Sequence, residues 1–157
     1  MVVFEIGASR FALPVTDVEQ IVRAVAITPL PLAPHVVEGV IDLHGLVVPV
    51  IDLRRRYGLA AAPVRVDEHF VVARAGERAV AFRAEPSTRL VDIDADDVDA
   101  ASGVIAGTSH VSGIARTPDG VVLIQDLRAL LSAAESNALA AALDAALHPA
   151  VAERGSA

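Results

Sequence analysis

The chain of 157 residues contains no cysteine, no lysine and no tryptophan. The first absence excludes disulfide staples, thiolate nucleophiles and Cys-ligated zinc together, and it suits a reducing cytoplasm. The second excludes Schiff-base chemistry. Four Phe and one Tyr are too few to build stacking platforms for bases or sugars. Basic charge is also scarce, with 13 Lys and Arg against 20 Asp and Glu and a net charge of −7. Neutralising a polyanion needs the opposite balance, so nucleic acid is not an expected partner. No apolar run reaches the roughly 18 uninterrupted residues of a membrane span, so no direct membrane insertion is expected. The first residues, MVVFEIGASRFALPV, lack the basic start and small-residue cleavage site of a secretory signal, which predicts a chain that stays in the cytoplasm.

What is present is a series of short strand patterns. VVFEI-GASR-FALPV and FVVARA-GERA-VAFRA are each two apolar runs around a Gly-containing turn, the pattern of a hairpin. TDVEQIVR predicts a short helical turn or a bent strand, with Thr16 as a cap and Val18, Ile21 and Val22 on one apolar face. TPLPLAPH, with Pro29, Pro31 and Pro34, predicts an extended surface connection. The one long helix expected is SAAESNALAAALDAAL, where Leu139, Leu143 and Leu147 mark one stripe.

The chain repeats itself. An offset of 74 places Gly39, Val40, Val50, Asp52, Leu53 and Arg54 on Gly113, Ile114, Ile124, Asp126, Leu127 and Arg128. An offset of 69 places Gly7, Phe11, Leu13 and Ile21 on Gly76, Val80, Phe82 and Leu90. Both registers run in the same order, which predicts two similar β units in tandem. Each would hold about five strands. Units this small have little core of their own, so they are expected to share an apolar interface, with a partner-binding groove between them.

The central stretch GVIDLHGLVVPVIDLRRRYGL shows what such a unit does. Gly39 and Gly45 flank VIDLH, and a glycine within a strand marks a bulge or a close backbone approach. LVVPVIDL is apolar on both faces. Pro49 donates no hydrogen bond and belongs on an edge or at a bulge, which marks this strand as a candidate docking boundary. Asp52 is placed to cap a helical turn over LRRRYG ended by Gly58, with Arg54, Arg55 and Arg56 solvated.

FALPVTDVEQIVR, VVEGVIDLHGLVVPVIDLRRRYGL and VSGIARTPDGVVLIQDLRALL together resemble the CheW-like domain, the scaffold of bacterial chemotaxis coupling proteins. The resemblance implies an all-β fold of two SH3-like five-stranded β-barrel subdomains sharing an apolar interface, followed by a C-terminal helix. On that reading residues 1–131 form the CheW-like domain, in approximate halves 1–68 and 69–131 that may exchange strands. Residues 132–148 form the helix, and 149–157 a flexible tail. The implied function is a non-catalytic adaptor, cytoplasmic and held at membrane receptor arrays through its partners. Those partners are the cytoplasmic tip of methyl-accepting chemoreceptors and the regulatory domain of a CheA-like histidine autokinase. The implied receptor-binding residues are Val18, Ile21, Val80, Phe82 and Glu85; the implied kinase-binding residues are Gly39, Asp42, His44, Leu46 and Val48. No cofactor, metal or catalytic residue is implied.

Two departures from the family pattern stand out. Relatives read Asn-Leu-Arg-Gly where this chain has Asp42, Leu43, His44 and Gly45, and Arg83 and Ser87 stand where relatives are apolar, which implies a more polar groove. These departures motivate an alternative, a CheW-like module serving a different signalling pathway or competing for the kinase. An enzyme, hydrolytic or metal-dependent, is the alternative of a different class. Asp92, Asp94 and Asp96 have calcium-loop spacing, but Asp97 and Gly103 replace the required Gly and Glu, leaving a solvated acidic loop. His35, Glu38, Asp42 and His44 lack ligand spacing and read as surface or capping residues. Ser109, His110 and Asp126 supply residue types for acyl transfer without a strained nucleophile elbow, and no phosphate loop is present.

Overall fold

The computed structural model describes residues 1–100 and 111–148. The expected hairpins form where glycine allows the turn. β1 (Val2–Ile6) returns through Gly7 at φ 59° into β2 (Ser9–Leu13), and β6 (His69–Ala75) returns through Gly76 at φ 67° into β7 (Arg78–Ala84). A short 3-10 turn, Val15–Asp17, leads into β3 (Val18–Arg23). Thr16 caps nothing there, since the N-cap is Pro14 and no side chain bonds the turn. TDVEQIVR is mostly strand, and a bulge between Val18 and Gln20 shifts its alternation, so Val18, Ile21 and Val22 do not share a face: Val18 packs on one core, Val22 on another, and Ile21 is exposed.

β4 (Val37–Leu43) and β5 (Leu46–Ile51) form the central hairpin, followed by a short α1 (Leu53–Arg56). β8 (Arg89–Leu90), β9 (Val98–Ala100), β10 (Val111–Thr117) and β11 (Gly120–Gln125) follow, and α2 (Ala133–Leu147) closes the described chain. α2 starts on a full capping box: Ser132 Oγ accepts from the Glu135 N–H at 3.1 Å, and Glu135 Oε1 from the Ser132 N–H at 2.9 Å. Leu139 and Leu143 are buried, but Leu147 is 53% exposed, so the predicted stripe stops a turn before the helix does.

Two sheets result, in the orders β8-β1-β2-β11-β10-β9 and β3-β6-β7-β5-β4. Neither is contiguous in sequence. In each, a hairpin from one half lies parallel to a hairpin from the other: β2 beside β11 through Ile124 and Ala12, and β7 beside β5 through Val50 and Ala81. Those two residue pairs are the same pair under the offsets 69 and 74, so the repeat extends to strand register. It reaches the irregularities as well, with equivalent bulges at Val37/Gly39 and Val111/Gly113. The larger sheet has a sixth strand because β9 pairs with β10 where the other half has only a Thr28–Val40 bridge.

The buried side chains form three clusters. Ile41, Leu43, Val48, Val50, Phe70 and Val72 fill one barrel, and Val3, Ala12, Ala115, Val122 and Ile124 the other. A larger cluster between them joins Phe4, Phe11, Leu13, Val80 and Phe82 to Leu139, Ala142 and Leu143 of α2. This is the shared apolar interface. Phe4 and Phe82 stack across it at 6.3 Å, and Phe11 stacks on Tyr57 at 5.2 Å. The Pro-rich segment is not wholly a surface connection, because Leu30 turns into this cluster. The 149–157 tail and the residues Ser109, His110 and Gly103 lie outside the described residues.

Candidate partner-binding surfaces

The ten residues implied by the resemblance fall on one sheet and its margins. Val18 and Ile21 lie on β3, which is an edge strand. Ile21 is 44% exposed, while Val18 is half-buried against the shared core. Val80 and Phe82 on β7 are fully buried in that core, so their side chains are closed to a partner and can act only by supporting the strand above them. Glu85 is bound into the fold, since its Oε1 accepts from the Gly7 N–H at 3.0 Å and its own N–H donates to the Glu5 carbonyl at 3.0 Å. These two bonds fasten the end of β7 to the β1–β2 turn.

The second set surrounds the β4–β5 hairpin. His44 and Gly45 both have positive φ, 53° and 88°, which gives a tight two-residue hairpin of the primed kind. Asp42 Oδ1 accepts from the Gly45 N–H at 2.8 Å and holds that turn. Asp42 and His44 are exposed, and Leu46 after them is 56% exposed. Val48 is fully buried within a barrel and shapes the surface only from beneath. Gly39 is buried because Thr28 crosses over it: Thr28 N–H donates to the Val40 carbonyl and Val40 N–H to the Thr28 carbonyl, both at 2.8 Å.

Pro49 is not on an edge strand, since β5 runs between β7 and β4. However, β5 pairs with β7 only at Val50 and Ile51. The Leu46–Pro49 half is therefore free on its β7 side, which is why proline is tolerated there. A groove of about 650 Å³ opens along it, lined by Leu46, Val47, Pro49, Ala79 and Ser136 among others. Exposed Leu46 stands at its rim, while Glu19, Arg74, Glu77 and Arg78 make the far side of the groove charged.

The arginines differ most from their sequence reading. Asp52 does cap α1, accepting from the Arg54 and Arg55 N–H groups at 2.9 and 3.3 Å, but the three arginines are not simply solvated. Arg56 Nη2 donates to both Glu135 oxygens at 2.7 Å and fastens α1 to α2. Burial pushes the Glu135 pKa up, yet the Ser132 backbone N–H and Arg56 outweigh it and hold the carboxyl below its usual range. Arg55 donates to the His35 carbonyl at 2.9 Å and Arg54 to the Ala60 carbonyl at 3.2 Å.

Arg83, expected to make a groove polar, is buried instead. Its Nε and Nη2 meet the Glu68 carboxylate at 3.1 Å, Nη1 meets Glu38 at 3.1 Å, and Nη2 reaches the Ala62 carbonyl at 3.0 Å. Burial lowers the Arg83 pKa, but the two carboxylates outweigh it and leave it above its usual value. Glu38 is raised, chiefly by burial, against the pull of Arg83. Arg83 therefore balances charge inside the fold rather than at a partner surface. Ser87 is exposed.

Among the described residues, no group of three or more His, Asp or Glu side chains is placed to hold a metal ion, and Asp94 caps a 3-10 turn over Ala95–Asp97 rather than opening a calcium loop. No described helix is long and apolar enough to cross a membrane. What the molecule offers is two exposed, partly apolar strand margins on a duplicated barrel frame, and the family model of the CheW-like domain matches it over residues 1–135. The chain belongs to the CheW-like family. It is 26% identical over 146 residues to the chemotaxis protein CheW of Treponema pallidum, covering 89% of this chain and 86% of that one. With the CheW of Bacillus subtilis it shares 33% identity over 122 residues, 77% of this chain and 67% of that one. The crystal structure of the scaffolding protein TtCheW from Thermoanaerobacter tengcongensis superposes with a TM-score of 0.76 at 28% identity, over 85% of this chain and 92% of that one. The two SH3-like subdomains expected for this CheW-like chain are thus its fold.

Proposed function

We propose that this chain is a non-catalytic chemotaxis adaptor that couples chemoreceptors to a histidine autokinase and works in the cytoplasm, held at receptor arrays by its partners. The observation that carries the reading is the pairing of a CheW-like fold with two separate exposed margins, Ile21 on edge strand β3 and Asp42, His44 and Leu46 on the β4–β5 hairpin. On this reading the β3 margin, with Val18 beside it and Glu85 holding the neighbouring turn, receives the receptor tip. The hairpin receives the regulatory domain of the kinase, with Gly39 and Val48 setting its shape from within. Val80 and Phe82 keep β7 rigid between the two.

The mechanism is energetic coupling. One body gripping a receptor and a kinase at different surfaces lets the conformational preference of one bias the two states of the other, by no more than its differential affinity for those states. Modest contacts add through avidity where receptors are clustered. The test is capture of receptor-tip and kinase-domain fragments by Ile21→Glu and Leu46→Glu. The first is expected to lose the receptor and keep the kinase, and the second the reverse. Ile21→Glu is chosen over a change at Val18 because a charge at Val18 enters the shared core. If both variants retain both partners, the two surfaces are misassigned.

A further inference from the structure

Arg83 sits in a charged cluster that a barrel of this kind closes without. The offsets 69 and 74 place Pro14 and Ser112 at the positions of Arg83 and Glu38, so the other half has neither the cation nor the carboxylate. Its Ser112 hydroxyl only donates to the Ile124 carbonyl at 3.4 Å. Both halves carry the bulge, between Val37 and Gly39 in one and between Val111 and Gly113 in the other. Glu38 is the extra residue of its bulge, and a bulge re-aims the side chain of the residue it leaves unpaired. Here it aims Glu38 at Arg83 on β7, and so ties β4 to the guanidinium that also holds Glu68 and the Ala62 carbonyl.

The three carboxylates gathered there are not equally satisfied. Both oxygens of Glu68 accept from Arg83, each at 3.1 Å. Asp52 Oδ1 accepts two α1 N–H groups, and its Oδ2 lies 3.2 Å from Arg55 Nε. Glu38 has one oxygen on Arg83 Nη1, while the other, Oε2, is buried with no hydrogen-bond partner. A buried carboxylate oxygen without a donor keeps its charge at the full desolvation cost, so the first proton to enter the cluster goes to Glu38. The charges around it leave the same balance: burial raises the Glu38 pKa most, Arg83 and Arg55 lower it, Asp52 adds to the rise, and the net shift is upward. On the far side of Arg83, Arg54, Glu5 and Glu85 line a gap of about 10 Å³. Arg54 gives its Nη1 to the Ala60 carbonyl, Glu85 accepts from the Gly7 N–H, and Glu5 faces Arg10 and Arg89 at 3.8 Å. None of these groups offers Glu38 Oε2 a donor.

We propose that Glu38 is a proton-operated latch: on mild acidification its Oε2 takes a proton from solvent before Glu68 or Asp52 does, and the hold of Arg83 on the β4 bulge weakens while its hold on Glu68 and Ala62 remains. The bond from Arg83 Nη1 to Glu38 then falls from a charge-assisted one to an ordinary one. The latch opens without unfolding the chain. The folded state holds this proton more tightly than the unfolded state, so the burden of the buried charge, fully present above the raised pKa, is relieved as pH falls through it towards the ordinary glutamate value. None of this depends on the adaptor reading.

The test is a pH titration of the full chain followed by NMR at the glutamate carboxyl carbons and the Arg83 Nε–H. The Glu38 midpoint is expected above the ordinary glutamate value and above that of Glu68, with the Arg83 Nε–H and the Gly39 amide moving at the same midpoint. In Glu38→Gln that step is expected to vanish from both signals. Urea unfolding of the two chains reads the energy. Each unit by which the Glu38 midpoint is raised should increase the folded-to-unfolded ratio of the natural chain, relative to Glu38→Gln, by up to about tenfold between about pH 7 and about pH 4. A Glu38 midpoint at or below the ordinary value, a Glu68 midpoint above that of Glu38, or an Arg83 step that persists in Glu38→Gln overturns the inference. So does a natural chain that loses stability relative to Glu38→Gln as pH falls. If Glu38→Gln does not fold, the order of the two midpoints in the natural chain decides alone.

Discussion

Gly39 and Gly113 are the same position in the two halves, but they have different neighbours, and this supplies a sharp test of the packing. A Cβ added at Gly39 would run into the Thr28 carbonyl oxygen well inside van der Waals contact and would meet Ile27 Cγ2 at 2.7 Å. The obstacle is backbone, so it cannot swing away. Relieving it means moving the 27–28 segment off β4, which breaks the two Thr28–Val40 hydrogen bonds and withdraws Ile27 from the barrel core. At about 1 kcal/mol for each hydrogen bond and a similar loss of apolar burial, Gly39→Ala should cost about 3 kcal/mol. At Gly113 the added Cβ meets the Asp99 carbonyl oxygen and Val98 Cγ1 at 3.1 Å. A shift of a few tenths of an ångström suffices there, and the lower entropy of the unfolded alanine chain offsets about 0.4–1 kcal/mol. Gly113→Ala is therefore expected to change stability by less than about 1 kcal/mol. Urea and thermal unfolding followed by far-UV circular dichroism read both, since the chain has no tryptophan. Gly39→Ala should lower Tm by about 6–12 °C, given about 2–4 °C per kcal/mol at this size. Equal stability of Gly39→Ala and the natural chain, or a larger loss at Gly113, would refute the close approach.

Two further outcomes follow from buried polar groups. Tyr57 is the only tyrosine, so absorbance at tyrosinate wavelengths reports on it alone. Burial pushes its pKa up to about 12, against the lowering effects of Gln125 and Arg56. The raised pKa stabilises the fold fully below the ordinary value of 10, and this contribution is lost as pH rises from there through about 12. Titration in water should give a midpoint near the upper value and titration in urea one near the lower; coincident midpoints would contradict the burial. Arg83→Ala should cost about 3–5 kcal/mol, because it leaves Glu68 and Glu38 inside the fold without their cation. Arg83→Met combined with Glu38→Gln and Glu68→Gln should recover most of that in urea unfolding. A triple variant no more stable than Arg83→Ala would show that the cluster's charge is not what the single change exposes.

The parts legible in the sequence were those decided locally or by repetition. Gly7 and Gly76 announce hairpins because only a residue at ease with positive φ turns so tightly. Asp52 announces α1 because a carboxylate just before a helical turn meets its free N–H groups. The duplicated Gly39–Asp52 and Gly113–Asp126 spans announced two similar barrels, although each sheet combines hairpins from both halves of the chain. What escaped depends on contacts distant in sequence. Arg83 finds Glu38, 45 residues away, and nothing around it in the chain marks it as internal. Pro49 looks like an edge residue until the parallel pairing of β5 with β7 is seen to begin only at Val50. Val48, Val80 and Phe82 alternate with residues that are also buried, so strand periodicity could not tell a partner face from a core face.

The adaptor reading makes a bridge its central requirement, and retention of the kinase regulatory domain on an immobilised receptor tip measures that bridge directly. With rising concentration of this chain, retention should rise and then fall, because an excess of a two-sided linker occupies each partner separately. Retention that never exceeds the level without the chain, or that only falls as it is added, would contradict the account.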